Sequence, residues 1–190
     1  MIPTLSFADT ASAHPVRPPN IVFVFADQMP AHVMGCAGTQ QVKTPHLDRL
    51  AGEGLRLEHM ISSQPVCTPY RGQLMTGQYG HTSGVTENDK RLPDDQMLLP
   101  EYLQQAGYHT GYIGKWHLAG YRDDPIDATN RRGWDDWAVQ NCSHQHFEAR
   151  YWVNDAEEPV VADRWEPDVQ TDLAVEYIER NREHPFCLML

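Results

Sequence analysis

Three stretches of this chain carry residue types that do chemistry. In Cys67-Thr68-Pro69-Tyr70-Arg71, Thr68 is a good helix N-cap and Pro69 suits the first helical position, where its missing N–H would be unpaired anyway. Leu74 and Met75 give the helix an apolar face and Gly77 stops it. Cys67 then sits just outside a helix N-terminus. Unpaired amides and the positive end of the dipole there favour a thiolate, a sulfate or a phosphate, and Arg71, one turn on, can reach back to the same spot. The second stretch is Asp27-Gln28, two hard oxygen donors at the end of an apolar run. The third is Gly114-Lys115-Trp116-His117-Leu118; on an extended segment Lys115 and His117 point to the same side and could address one ligand.

These residues need elements to place them. Ile21-Val22-Phe23-Val24-Phe25-Ala26 reads as a strand covered on both faces of a parallel sheet. Asp27 then lies at a carboxyl strand end, where open α/β sheets hold their ligand crevice; a loop or N-cap aspartate is the competing reading. Residues 44–51 read as a short helix closing at Gly52 and Gly54, with Leu47 and Leu50 packed and Asp48 and Arg49 solvated. Residues 55–61 read as a strand leading to Cys67. A helix over 99–106, stopped by Gly107, precedes a strand over 108–113 that delivers Lys115 and His117. A polar surface loop follows over 119–130. Trp134, Trp137, His144, His146, Tyr151 and Trp152 are read as a packed sheet edge rather than a pocket lining, because no H-x-x-x-H spacing occurs; a hairpin is expected at Asn154-Asp155. Residues 168–182 form a helix with Val169, Leu173, Tyr177 and Ile178 facing the core, and residues 186–190 begin another buried strand.

The chain has 190 residues, enough for one domain, and 41% hydrophobic content can build a core. Its formal net charge of −11 argues against a nucleic-acid partner or an anionic membrane, since either needs a basic face. An anionic substrate must be met by local cations. Cys36, Cys67, Cys142 and Cys187 show no C-x-x-C spacing, so neither zinc nor a disulfide framework is indicated, and the three besides Cys67 read as ordinary thiols. No stretch has transmembrane length. Residues 1–18 read as a leader; small residues end it at Ala11-Ser12-Ala13, yet a basic start and a continuous apolar run are lacking. The compartment stays open, with a periplasmic or secreted location compatible.

Cys67-Thr68-Pro69-Tyr70-Arg71 resembles the C-x-P-x-R signature of the sulfatase family, and Gly114-Lys115-Trp116-His117-Leu118 resembles that family's G-K-W-H-L motif. Thr44-Pro45-His46-Leu47-Asp48-Arg49-Leu50 and Met75-Thr76-Gly77-Gln78-Tyr79 follow the same pattern, in order. The resemblance implies that Cys67 is oxidised after translation to formylglycine, by a formylglycine-generating or anaerobic sulfatase-maturating enzyme. It implies that Asp27 and Gln28, with residue 67, bind a divalent metal, usually calcium; that Lys115 holds a sulfate oxygen; and that His117 bonds to the aldehyde hydrate or the substrate. Tyr70 stands at the variable position of the signature, where many sulfatases have serine.

The implied fold is an α/β three-layer α/β/α sandwich with a mainly parallel central sheet, alkaline-phosphatase-like, with residues 19–190 as the N-terminal portion of the catalytic domain. An apolar run ending at Leu190 reads as truncated, since the family's further histidine, second metal-ligand pair and second lysine do not appear; little or no activity is expected of these residues alone. The implied reaction is hydrolysis of a small-molecule or carbohydrate sulfate ester. One hydroxyl of the aldehyde hydrate attacks sulfur, and the other then expels sulfate. Arg71 and Lys115 add fixed positive charge, and the metal acidifies the attacking hydroxyl. A phosphonate or phosphate ester hydrolase and a non-catalytic fragment are the alternatives.

Overall fold

A computed structural model describes residues 17–122 and 126–190. The leader expected over residues 1–18 lies, save its last two positions, outside the described residues. The centre is a six-stranded sheet in the order β1-β6-β2-β3-β4-β5. Its strands are β1 (Ile21–Phe23), β2 (His109–Lys115), β3 (Asp136–Gln140), β4 (Arg150–Val153), β5 (Val160–Val161) and β6 (Phe186–Met189). β1, β6, β2 and β3 run parallel, while β4 and β5 add an antiparallel edge. The hairpin joining those last two turns at Asn154, whose φ is 51°. Because the parallel strands share one direction, the segments that follow Phe23, Lys115, Gln140 and Met189 all emerge at the same edge of the sheet.

Alternation along the strands builds the layers. Tyr112, Trp137, Val139 and Met189 face one side, where they pack with Met75 of α2 (Cys67–Thr76), with Val85, and with Leu98 before α4 (Leu99–Gln105). Their neighbours Ile113 and Leu188 face the other side, with Phe186, and meet Ala174 and Tyr177 of α5 (Glu166–Asn181). Helices on both faces of a mixed, mainly parallel sheet make the expected three layers. Gly111 is required at the second interface: a Cβ there would stand 2.4 Å from the Tyr177 ring. That ring lies against the sheet, its hydroxyl donating to the His109 carbonyl at 3.0 Å.

Several local expectations change. β1 is an edge strand, and Val22 is 48% exposed; an apolar run tells that a strand wants covering but not which neighbours it has. α1 (Pro45–Glu53) buries no residue, and Leu47 and Leu50 are exposed. Asp48, expected in solvent, instead accepts the Cys36 N–H at 2.7 Å and the Thr44 hydroxyl at 2.9 Å, tying the helix start to the turn before it. Residues 55–61 form no strand, and Leu55 and Ile61 stand out in solvent. α2 begins two residues earlier than its proline suggested, with Val66 as N-cap and Cys67 inside the first turn; Gly77 closes it in the left-handed region at φ 68°.

Candidate active site

Asp27 is the hub at the sheet's carboxyl edge. It follows β1, Lys115 ends β2, and Arg71 projects from the second turn of α2. Lys115 Nζ lies 2.8 Å from Asp27 Oδ2 and Arg71 Nη2 lies 3.3 Å from the same oxygen. Cys67 Sγ stands 3.7 Å from Asp27 Oδ1. Strand ends and a helix N-terminus thus converge on one carboxylate, as the strand-end argument requires.

Arg71 reaches the carboxylate beside Cys67 and also binds elsewhere. Its side chain is only 5% exposed, and Nη1 donates to the Tyr112 hydroxyl at 2.9 Å and to the Lys115 carbonyl. Its guanidinium stacks over Phe25, 5.0 Å from the ring centre. The Tyr112 hydroxyl in turn donates to the Lys115 carbonyl at 2.6 Å. A planar fork with several donors can tie the ends of β1 and β2 together in a way a lysine cannot. Tyr112 belongs to this site, and nothing in the sequence separated it from the apolar strand around it.

Electrostatics follow from this geometry. Burial pushes the Asp27 carboxyl up, but the hydrogen bond and charge of Lys115, with those of Arg71, outweigh it and hold the group below the ordinary carboxylate value. Burial likewise pulls Lys115 down, and Asp27 more than reverses that, so the ammonium is held firmly protonated. Two cations facing one carboxylate leave an uncompensated positive charge beside Cys67.

The helix mouth contributes less than the sequence suggests. Pro69 has no N–H, and the Thr68 N–H is taken at 3.0 Å by Asn88 Oδ1. The Lys115 and Arg71 side chains add positive charge near this mouth through the carboxylate that Cys67 touches. The Thr68 hydroxyl donates to the His117 carbonyl at 3.1 Å, fixing the segment after β2 against α2.

His117 is placed differently from expectation. The strand ends at Lys115, and His117 adopts φ 53°, so the two side chains are not successive members of one extended face. The ring is buried, with Nε2 at 3.2 Å from Asp89 Oδ1 and Nδ1 buried without a partner among the described residues. Burial pushes its pKa down; Asp89 opposes this, while Lys115 and Arg71 reinforce it, and the net direction is downward. Asp89, itself at φ 63°, was not read from the sequence, where Asn88-Asp89 looks like any polar turn.

A cleft of 340 Å³ opens beside the hub, lined by Asp27, Gln28 and Lys115 and also by Ser143, His144 and His146. A second cleft of 540 Å³ holds Cys67, Tyr70 and Ser62, and shares Asp27, Gln28 and Arg71 with the first. The expectation that the aromatic and histidine-rich segment packs holds for Trp134, Trp137 and Tyr151, which are buried, but not for His144 and His146. Ring size fills the core, whereas the histidines sit on the loop between β3 and β4 at the sheet's functional edge.

Asp27 and Gln28 are hard donors suited in kind to calcium, which takes about six to eight oxygens. In number they fall short: among the described residues no group of three or more histidine, cysteine, aspartate or glutamate side chains could hold a metal ion. Asp27 is moreover already paired with two cations. These residues form the beginning of a cation site rather than a cage. Among the described residues, no helix is long and apolar enough to cross a membrane.

Comparison with known proteins bears on this geometry. A family model described as sulfatase matches residues 19–190. The chain is 39% identical over 163 residues to the ulvan-active sulfatase of Formosa agariphila, covering 85% of this chain and 32% of that protein. A solved structure from Bacteroides fragilis, provisionally assigned as a sulfatase, superposes with a TM-score of 0.85 at 34% identity, over 95% of this chain and 44% of that one. Another, solved in complex with its substrate D-glucosamine-2-N,6-O-disulfate, gives a TM-score of 0.77 at 32% identity, over 90% of this chain and 33% of that one. The chain spans about a fifth to a third of the length of the curated relatives it matches.

Proposed function

The chain belongs to the sulfatase family, with its alkaline-phosphatase-like α/β fold, and from that premise we propose that Cys67, Asp27, Lys115 and Arg71 form the nucleophile end of a site that hydrolyses sulfate esters. One observation carries the reading: a cysteine in the first turn of α2 stands 3.7 Å from a carboxylate that a lysine and an arginine grip from behind. An anion docked there meets net positive charge beside a side chain that a maturation enzyme can convert.

In this reading Cys67 is oxidised to formylglycine by a formylglycine-generating or anaerobic maturating enzyme, and Sγ stands in for the oxygen that the modified residue carries. One hydroxyl of the hydrated aldehyde takes the sulfuryl group as the ester S–O bond breaks and the alcohol leaves with a proton; the second hydroxyl then loses its proton to form C=O, which breaks the C–O bond to sulfate and regenerates the aldehyde. Lys115, whose side chain is 14% exposed, binds a sulfate oxygen. Arg71, too buried to be the main contact, fixes Asp27 and the Lys115 backbone in place. His117, by the family motif, hydrogen-bonds to the hydrate or the substrate; Asp89 holds its ring through Nε2, and its buried Nδ1 has no partner among the described residues. Asp27 and Gln28 supply two ligands toward a divalent cation, Ca²⁺ by donor type, and no step above depends on it. The substrate is a small-molecule or carbohydrate sulfate ester.

The test is co-production with a formylglycine-generating enzyme and mass spectrometry of the peptide containing Cys67. The expected product has lost sulfur and gained a carbonyl that reacts with a hydrazide. A peptide that retains its thiol throughout overturns the assignment of the nucleophile. In a protein of the relatives' full length, preferential turnover of phosphate over sulfate esters would overturn the reaction.

A further inference from the structure

The cleft that Lys115 lines also carries an arrangement that none of the family-like motifs includes. Glu166 is the first residue of α5 and is 4% exposed. Burying a carboxylate is costly unless it is fully hydrogen-bonded, and this one is. Oε1 accepts from Gln140 Nε2 at 2.9 Å, the Tyr151 hydroxyl at 2.8 Å and Gln170 Nε2 at 3.0 Å. Oε2 lies 2.8 Å from His146 Nδ1. The Glu166 backbone N–H also donates to the His146 carbonyl at 2.7 Å. One residue therefore latches His146 at two points.

The latched ring is not buried: its side chain is 59% exposed and lines the cleft that Asp27 and Lys115 share. A clasp serving the fold alone would bury the ring it holds. With Nδ1 engaged by Glu166 Oε2, Nε2 is the ring nitrogen left to meet a ligand, on the side of the imidazole away from the carboxylate. That is a directed acceptor fixed by a buried network, with His144 beside it on the same loop.

We propose that His146, positioned by Glu166, reads the alcohol part of the substrate by accepting a hydrogen bond from one of its hydroxyls, so that the site takes a sulfated carbohydrate rather than a hydroxyl-free aryl sulfate. This rests on the sulfate-ester reading above. His146 is a specificity residue and Glu166 a positioning residue.

The experiment titrates the chain with inorganic sulfate and with glucosamine 6-sulfate by calorimetry, in native, His146→Ala and Glu166→Gln forms. His146→Ala is expected to weaken the sugar sulfate about tenfold, the scale of one well-placed hydrogen bond, and to leave inorganic sulfate unchanged. Glu166→Gln puts an amide N–H where Oε2 met His146 Nδ1, so the latch on Nδ1 is lost and only the sugar is weakened. In the native chain, which needs no variant to fold, the ¹⁵N resonances of His146 show the Nδ1–H tautomer, and the Nε2 signal moves with the sugar sulfate but not with sulfate. Equal sugar affinity in His146→Ala, or an unmoved Nε2 signal, overturns this inference and leaves the sulfate site standing. A variant that loses both ligands equally marks a structural clasp and also overturns it. Failure of the native chain to bind either ligand overturns the sulfate-ester reading, and this one with it.

Discussion

Replacing Arg71 by methionine tests whether the guanidinium is the tie between strand ends. The change removes the 2.9 Å bond to the Tyr112 hydroxyl, the bond to the Lys115 carbonyl, the 3.3 Å contact with Asp27 and the stacking on Phe25. What it leaves behind sets the magnitude. Asp27 keeps Lys115 at 2.8 Å, and the Lys115 carbonyl keeps the Tyr112 hydroxyl at 2.6 Å. No charge is stranded, so the loss of roughly 3–5 kcal/mol seen when a buried pair is broken does not apply in full. Each of the two lost bonds to neutral acceptors is worth about 1 kcal/mol, the cation–π contact about 0.5–1 kcal/mol, and the long contact to a partly exposed Asp27 little. The expected destabilisation is about 3 kcal/mol. Methionine fills much of the vacated volume, so the cavity contribution is small. Urea unfolding followed by tryptophan fluorescence reads the region directly, since Trp116 and Trp134 pack edge-on to Tyr112 at 5.4 and 5.2 Å. With a slope of about 2 kcal/mol per molar, the midpoint should fall by about 1.5 M, and Arg71→Lys should lie between variant and native. A midpoint within about 0.3 M of native would refute the tie.

Two further outcomes follow from the packing and the charge of the same sheet. His117 has a folded-state pKa below its unfolded value, so its contribution to stability is complete above about pH 6.5 and is lost as pH falls from there toward the folded-state value. Urea midpoints at pH 8, 6 and 5 should therefore drop more steeply in the native chain than in His117→Gln, and parallel curves would contradict the neutral buried imidazole. Gly111→Ala puts a methyl 2.4 Å from the Tyr177 ring and should cost about 1–3 kcal/mol in thermal or urea unfolding. Most of that should return when Tyr177→Leu is added, and a change without effect in the native background would mean α5 is not seated against β2 as described.

Periodicity made much of the fold legible. The apolar runs of β2 and β6 and the four core-facing positions of α5 each carry a signal within one element, and Gly77 and Asn154 mark stops that local chemistry alone requires. Expectations failed where the outcome depends on a neighbour. Leu47, Leu50, Leu55 and Ile61 have apolar character but stay exposed among the described residues, and β1, whose composition suits an interior strand, lies at the edge of the sheet that the described residues form. The site shows the same division. Strand-end and helix-mouth arguments named Asp27, Lys115, Cys67 and Arg71, because position along an element suffices to find them. They did not find the bonds by which Arg71 ties the strand ends, and passed over Tyr112, Asn88, Asp89 and Glu166, whose parts are defined only by side chains distant in sequence.

What joins the legible half of the site to the illegible half is sheet register. Lys115 and Gln140 are partners across the parallel β2–β3 pair, and the next N–H, that of Trp116, closes on the Gln140 carbonyl at 2.7 Å. From Lys115 the contacts run to Asp27 and Cys67; from Gln140 they run to Glu166 and so to His146. The cations that would grip a sulfate and the imidazole that would read its alcohol are therefore held at a fixed separation by one rung of the ladder. A slip of β3 by one residue would turn Gln140 to the opposite face and detach Glu166 from the site. The register that buries Trp137 and Val139 on one face thus also sets which substrates could span the cleft.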